Sequence, residues 1–316
     1  MTTSLISRRS LMAGAAILGS GALLGARAAT AQSAPIRLGV GSDPVFASFF
    51  VAAHEKLFAA EGLDVALQTY TEGGEAMNAL IAGQMDLSCS SDTSSIIRLP
   101  RGDLRALAVV YQSGRYIKLV GGPKISDPAQ IRRWGIVMGS TSEYCARLAM
   151  AKYGIDEASV TVVPSGPPEL PALLARGDID GYFAWEPWPA MGVQQGGTIL
   201  ARSVDVGYVD TQWLNAAAGF VDTRAADAQA FLRALSKAAT IARDEPARAA
   251  QAIRAMTSIP EENSLKALAD LTPIVRDFTN EDFASYDRIA TFLADKKVTE
   301  GLVPWRDDVM PGFFKG

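Results

Sequence analysis

The sequence predicts an α/β protein of two similar lobes joined by two chain crossings. Strands and helices alternate from residue 36 to residue 204 at lengths suited to parallel α/β sheets. One pattern occurs twice: Leu80-x-x-Gly83-x-Met85-Asp86 leads into an apolar run, and Leu174-x-x-Gly177-x-Ile179-Asp180 into another. In each, a helix ends in leucine, turns at glycine, and a strand begins just after aspartate. Two extended stretches, residues 104–120 (broken at Ser113-Gly114) and residues 208–221, fall where the chain would pass between lobes. Lobe one is expected to comprise residues 32–115 and 213–316, and lobe two residues 116–212.

The ends and the composition set the frame. Ser7-Arg8-Arg9-Ser10-Leu11-Met12 precedes an apolar stretch interrupted by four glycines, too short for a membrane span, with Ala29-Thr30-Ala31 as a cleavage site. Residues 1–31 therefore predict a cleaved twin-arginine leader and an exported, periplasmic product. No cysteine sits at the cleavage region to carry a lipid. Without those residues, the 30 basic and 34 acidic side chains become 27 and 34, a net charge of −7. Such a balance suits neither nucleic acid nor anionic lipid, and no membrane insertion is expected. A single histidine, His54, and two cysteines, Cys89 and Cys145, cannot assemble a His/Cys metal site. Neither metal nor cofactor is expected, and the cysteines read as buried free thiols.

In chain order, residues 36–40 form a strand. Asp43 caps the next helix, which has Pro44 in its first turn and runs to about residue 60. A second strand covers 64–70, and the turn at Thr71-Glu72-Gly73-Gly74 opens another helix. After residue 221 the spacing predicts helices over 225–243, 246–256 and 280–297. The last carries Phe283, Tyr286, Ala290 and Leu293 at helical intervals. These C-terminal helices are expected to cover lobe one.

Two stretches carry chemistry. In Gly135-Ile-Val-Met-Gly-Ser-Thr-Ser-Glu143 a buried strand over 136–138 turns directly into a helix. Its first N–H groups, the positive end of the helix dipole, and the hydroxyls of Ser140, Thr141 and Ser142 would hold a small anion. The same spacing, Ser140-x-x-Glu143, fits a capping box. In Phe183-Ala-Trp185-Glu186-Pro187-Trp188 the chain leaves a strand at its carboxyl end, where open α/β sheets place ligands. Proline restricts Glu186 to extended backbone and aims its carboxylate. Trp185 would wall a ligand, whereas Trp188 reads as lobe packing.

Taken together, the twin-arginine leader, the helix-Gly-x-Met/Ile-Asp units, Gly-Ser-Thr-Ser at a helix start and Trp-Glu-Pro-Trp resemble one family. It is the nitrate/sulfonate/taurine-type periplasmic substrate-binding proteins of ABC importers, over about residues 36–240. The resemblance implies a two-lobed periplasmic-binding-protein fold, type II-like, with two crossover strands as hinge. It implies no enzymatic activity but a monomer that clamps a small anionic ligand and delivers it to a permease with its ATPase. Ser140, Thr141 and Ser142 carry over as anion donors, Glu186 as the acidic residue that faces an amine or a hydrogen-bond network, and Trp185 beside it. From lobe one, Asp43, Phe46, Glu72, Gly73, Ser91 and Asp92 occupy matching strand ends. No lysine or arginine stands out in these loops, so charge neutralisation falls to backbone dipoles unless Arg115 or Arg147 turns inward. Phe46, Tyr111 and Tyr116 leave an aromatic acid open beside sulfonate, taurine and nitrate. A thiamine-pyrimidine-precursor binding protein, or a synthase-like enzyme of the same fold, is the alternative.

Overall fold

The computed structural model describes residues 34–315, and the leader expected over residues 1–31 lies outside them. Strands β1 (Ile36–Gly41), β2 (Val65–Tyr70) and β3 (Leu87–Ser91) run parallel in the spatial order β2-β1-β3. Helices α1 (Ala47–His54), α2 (Leu57–Ala60) and α3 (Gly73–Ile81) make the crossovers. Helix α4 (Asp92–Arg98) leads to β4 (Leu104–Ser113), after which the chain enters a second sheet at β5 (Lys118–Gly121).

There the arrangement repeats. Strands β6 (Arg133–Ile136), β7 (Thr161–Pro164) and β8 (Gly181–Ala184) run parallel in the order β7-β6-β8. Helices α5 (Thr141–Lys152) and α6 (Leu170–Arg176) connect them. Helix α7 (Trp188–Gln194) and β9 (Thr198–Arg202) follow, and β5 lies antiparallel between β8 and β9. The chain returns through residues 203–209 to β10 (Asp210–Ala217), antiparallel between β3 and β4. Then come α8 (Ala218–Asp244, kinked at Arg224), α9 (Pro246–Thr257), α10 (Glu261–Leu268), β11 (Thr272–Arg276) and α11 (Asn280–Asp295). The two sheets are β11-β4-β10-β3-β1-β2 and β7-β6-β8-β5-β9.

The repeated sequence pattern has one physical basis in both sheets. Gly83 and Gly177 end their helices at φ of 71° and 74°, a left-handed turn that costs glycine little. The aspartate three residues later then turns back on the first of the three parallel strands of its sheet. Asp86 accepts from the Arg37 backbone N–H at 2.8 Å and pairs with its guanidinium, which also donates to the Gly83 carbonyl. Asp180 accepts from the Arg133 N–H at 2.8 Å and pairs with the Arg133 guanidinium, which likewise donates to the Gly177 carbonyl. Half-exposed ion pairs of this kind contribute little stability, about 0–1 kcal/mol. What they do is pin helix, turn and strand start together.

Several elements differ from the sequence expectation. The strand expected over 136–138 is instead β6, ending at Ile136, and Met138 is 47 % exposed. Trp134 and Gly135 supply the buried positions, and a side chain at 135 would press on Ile179 and Leu170. In helix α1 residues 47–52 are all buried, because it packs against both α8 and α9. The stretch 208–221 is not one extended crossing; β10 ends at Ala217 and α8 starts at Ala218. Residues 210–212 already pair with β3 and β4, so they stand in the six-stranded sheet and not with lobe two. No element is expected over residues 257–279, where α10 and β11 lie. Helix α8 packs directly on β11, β10 and β4 and, with α9, on α1, whereas α11 also reaches the second half. Its Phe292 ring meets Tyr144 of α5 edge-on at 5.0 Å, and its Lys296 follower pairs with Glu157 at 2.6 Å.

Candidate functional site

A small cavity opens where the carboxyl ends of both sheets face each other. From the first half it is lined by Asp43, Val45 and Phe46 after β1, Glu72, Gly73 and Gly74 at the start of α3, and Ser91 and Ser94 at α4. Tyr116 and Ile117 contribute from the first crossing, Asp210 and Gln212 from β10, and Ser140, Thr141 and Trp185 from the second half. Its volume is about 30 Å³, room for about two water molecules. A larger solute therefore enters only if the halves part.

Local sequence explains how each wall residue is held. Asp43 caps the turn before α1, its Oδ1 accepting from the Val45 N–H at 3.0 Å. That oxygen also accepts from the Tyr116 hydroxyl at 2.8 Å. Only glycine fits at position 73, where a Cβ would lie 2.9 Å from the Cys89 carbonyl. At Gly74 a Cβ would lie 2.6 Å from a Glu72 carboxylate oxygen and 2.7 Å from the Arg98 guanidinium. Gly139, at φ of 68°, makes the left-handed turn that starts α5.

Of the expected site residues, Asp43, Phe46, Glu72, Gly73, Ser91, Ser140, Thr141 and Trp185 meet at this cavity. Asp92, Ser142 and Glu186 do not. The Asp92 carboxylate is turned to the back of the site, accepting from Tyr208 (2.5 Å), from the Thr211 N–H (3.2 Å) and hydroxyl (2.9 Å), and from Thr93. It ties α4 to the return crossing. The Ser142 hydroxyl, fully buried, accepts from the Val137 N–H at 3.1 Å, closing the turn ahead of α5. Glu186 is committed elsewhere: its carboxylate pairs with Lys118 at 2.7 Å and accepts from the Ala190 N–H at 3.1 Å. At the start of α5 two N–H groups already have side-chain partners. Ser140 accepts from the Ser142 N–H, and the Glu143 carboxylate accepts from the Gly139 N–H at 2.9 Å while pairing with Arg147. Ser140 thus caps α5, but the reciprocal bonds of a Ser140–Glu143 capping box are not made, and Ser140 and Thr141 remain as wall.

Sequence reasoning missed the residues that close the site. Arg98 stands at the end of α4, where nothing marks it, yet it donates across the cleft to the Gly139 carbonyl at 3.0 Å and sideways to Asn78 at 3.0 Å. Ser94 donates to the same carbonyl at 3.3 Å. Lys118 sits between Glu186 and Asp270 (2.9 Å), so one ammonium bridges the β8 loop and the turn after α10. The cavity wall itself holds three carboxyls, Asp43, Glu72 and Asp210, and neither lysine nor arginine. Burial raises all three: Asp43 to about 7, Asp210 well up with the Asp92 charge adding to it, and Glu72 upward with Arg98 opposing. Cys89 and Cys145 are free and buried, and burial pushes both thiols up. No helix among the described residues is long and apolar enough to cross a membrane.

Two sheets of matching strand order, two crossings between them and a polar cavity at their facing carboxyl ends define the periplasmic-binding-protein fold. The periplasmic aliphatic sulphonate binding protein SsuA from Escherichia coli superposes with a TM-score of 0.78 at 18% identity, over 89% of this chain and 94% of that one. The desulfurization enzyme DSZB shares the fold with a TM-score of 0.67 at 15% identity, over 88% of this chain and 97% of that one. Residues 29–257 match the NMT1-like family, and the chain belongs to it. The taurine-binding periplasmic protein of Escherichia coli (strain K12) is 27% identical over 167 residues, which is 52% of this chain and 51% of that protein. The chain thus spans about half the length of the curated relatives it matches.

Proposed function

We propose that this protein is the periplasmic solute-binding component of an ABC import system, exported by a twin-arginine leader and active without catalysis. It captures a small organic solute of the sulfonate and taurine class between its halves and presents the closed form to a permease with its ATPase. The observation that carries this reading is the cavity, whose wall is assembled from both sheets and the segments joining them. A solute held there touches both halves only when they close, so binding favours the closed form. Asp43, Glu72, Ser91, Ser140, Thr141 and Trp185 are the proposed contacts. The taurine-binding and sulphonate-binding relatives support the ligand class.

Melting the mature protein with a panel of sulfonates, aminosulfonates, aromatic acids and pyrimidines tests the reading. A true ligand at a hundred times its Kd adds about 2.7 kcal/mol by mass action and is recovered unchanged. No shift with any small solute would sink the reading. The DSZB fold match favours a second reading, an enzyme on the same scaffold, and recovery of a converted ligand would move the case there.

A further inference from the structure

We propose that Asp43, Asp210 and the side-chain oxygen of Gln212 form the seat for a positively charged nitrogen of the ligand, and that seating it expels a proton. The proposal deepens the import reading and rests on it for the existence of a small ligand.

The wall is rich in acceptors. Gln212 is 7 % exposed, and its Oε1, buried, has no hydrogen-bond partner. Its amide nitrogen leans on Asp210 Oδ2 at 3.4 Å. An unpaired buried acceptor costs about 1–3 kcal/mol, and a donor from the ligand removes that cost.

Counting hydroxyl protons leads the same way. Tyr208 has one, yet its oxygen lies 2.5 Å from Asp92 Oδ1 and 2.8 Å from Asp210 Oδ1. Tyr116 also has one, between Asp43 Oδ1 at 2.8 Å and the Glu186 carbonyl at 3.1 Å. A neighbour that donates in return lets each phenol make both contacts as full hydrogen bonds. A carbonyl cannot, so beside Tyr116 that donor would be a protonated Asp43, whose Oδ1 otherwise accepts; beside Tyr208 it would be Asp210, with Asp92 accepting. In that form the closed site stores protons on carboxyls.

The surrounding groups do not relieve this. Glu72 adds a third acid to the wall from α3. Cys89 of β3 and Tyr111 of β4 are both pushed up, in part by the charges of Asp43 and Asp210. Of the nearby cations, Arg98 is spent on Asn78, Ser94 and Gly139, and Lys118 on Glu186 and Asp270. Neither lines the cavity. An ammonium or amidinium brings the missing charge: the carboxylic O–H gives its proton to solvent, and the resulting carboxylate pairs with the bound cation.

Titration calorimetry of the mature protein with taurine and with ethanesulfonate, the same skeleton without the amine, tests this in buffers of different protonation enthalpy. Taurine should bind at least about tenfold tighter and release protons, while ethanesulfonate releases none. Asp43→Asn and Asp210→Asn should each erase about tenfold or more of the preference, the worth of a charged hydrogen bond. Gln212→Met should weaken taurine alone and serves if either Asn variant fails to fold. Equal affinities, no proton release, or a preference untouched by these variants would overturn the proposal. A melting panel of amines paired with their desamino analogues completes the test. Hits confined to amines support the seat. Hits among desamino analogues alone overturn it and leave the import reading standing; no hit of either kind defeats both.

Discussion

Lys118→Met isolates one of the contacts that hold the halves together. The Lys118 ammonium lies 2.7 Å from Glu186 and 2.9 Å from Asp270, and all three side chains are only 11 % exposed. Methionine keeps the stem's volume and removes the charge, leaving two nearly buried carboxylates without their shared cation. Stripping one partner from a buried pair costs about 3–5 kcal/mol. Two contacts soften the loss here: Arg115 stays on Asp270 at 3.0 Å, and the Ala190 N–H stays on Glu186. A loss of about 2–3 kcal/mol is therefore expected, roughly 5–10 °C in Tm for a protein of this size. Urea denaturation of Lys118→Met against wild type reads it, and adding Glu186→Gln should return part of the loss by removing one orphaned charge. A loss below about 0.5 kcal/mol, the range of an exposed pair, would refute the reasoning that this triad is desolvated and ties the halves.

Three further outcomes follow from the site. Tyr116→Phe deletes the hydroxyl shared by Asp43 and the Glu186 carbonyl and should cost about 1–3 kcal/mol in a urea melt; a neutral result would mean the hydroxyl is idle. Burial raises Asp43 to about 7 and Asp92 to about 6 in the folded chain. Both stabilise the empty protein fully below about pH 4, and that contribution is lost as pH rises through 6 to 7. Urea midpoints at about pH 5 and about pH 8 should therefore differ less in Asp43→Asn than in wild type, and equal slopes would contradict the shift. Gly139→Ala forces a β-carbon into a left-handed turn at φ of 68° and should cost about 1–2 kcal/mol, read by thermal melting; no loss would show that the turn relaxes freely.

The architecture was legible because each half repeats one local grammar. Gly83 and Gly177 end helices, and Asp86 and Asp180 start strands, for reasons confined to a few neighbouring residues. The cavity's rim was legible for the same reason, since loops at strand ends such as Asp43 and Glu72-Gly73 announce themselves by turn chemistry. What was not legible depends on pairings across the fold. Glu186 reads as a free carboxylate until Lys118, 68 residues earlier, is seen to take it. Ser142 reads as a donor until the Val137 N–H claims it. Asp210 and Gln212 sit within a stretch that reads only as a crossing, and Arg98 at an unremarkable helix end. Only the antiparallel return of β10 beside β3 brings Asp210 and Gln212 to the cavity.

The most direct test of the account is small-angle scattering of the mature protein, empty and with saturating taurine-class ligand from the melting panel. A solute seated between the halves must open a cavity of about 30 Å³ to enter and then hold the halves shut over it. The account predicts a smaller radius of gyration with ligand than without, and no change for a variant carrying both Asp43→Asn and Asp210→Asn. An unchanged radius on binding the tightest ligand would contradict it.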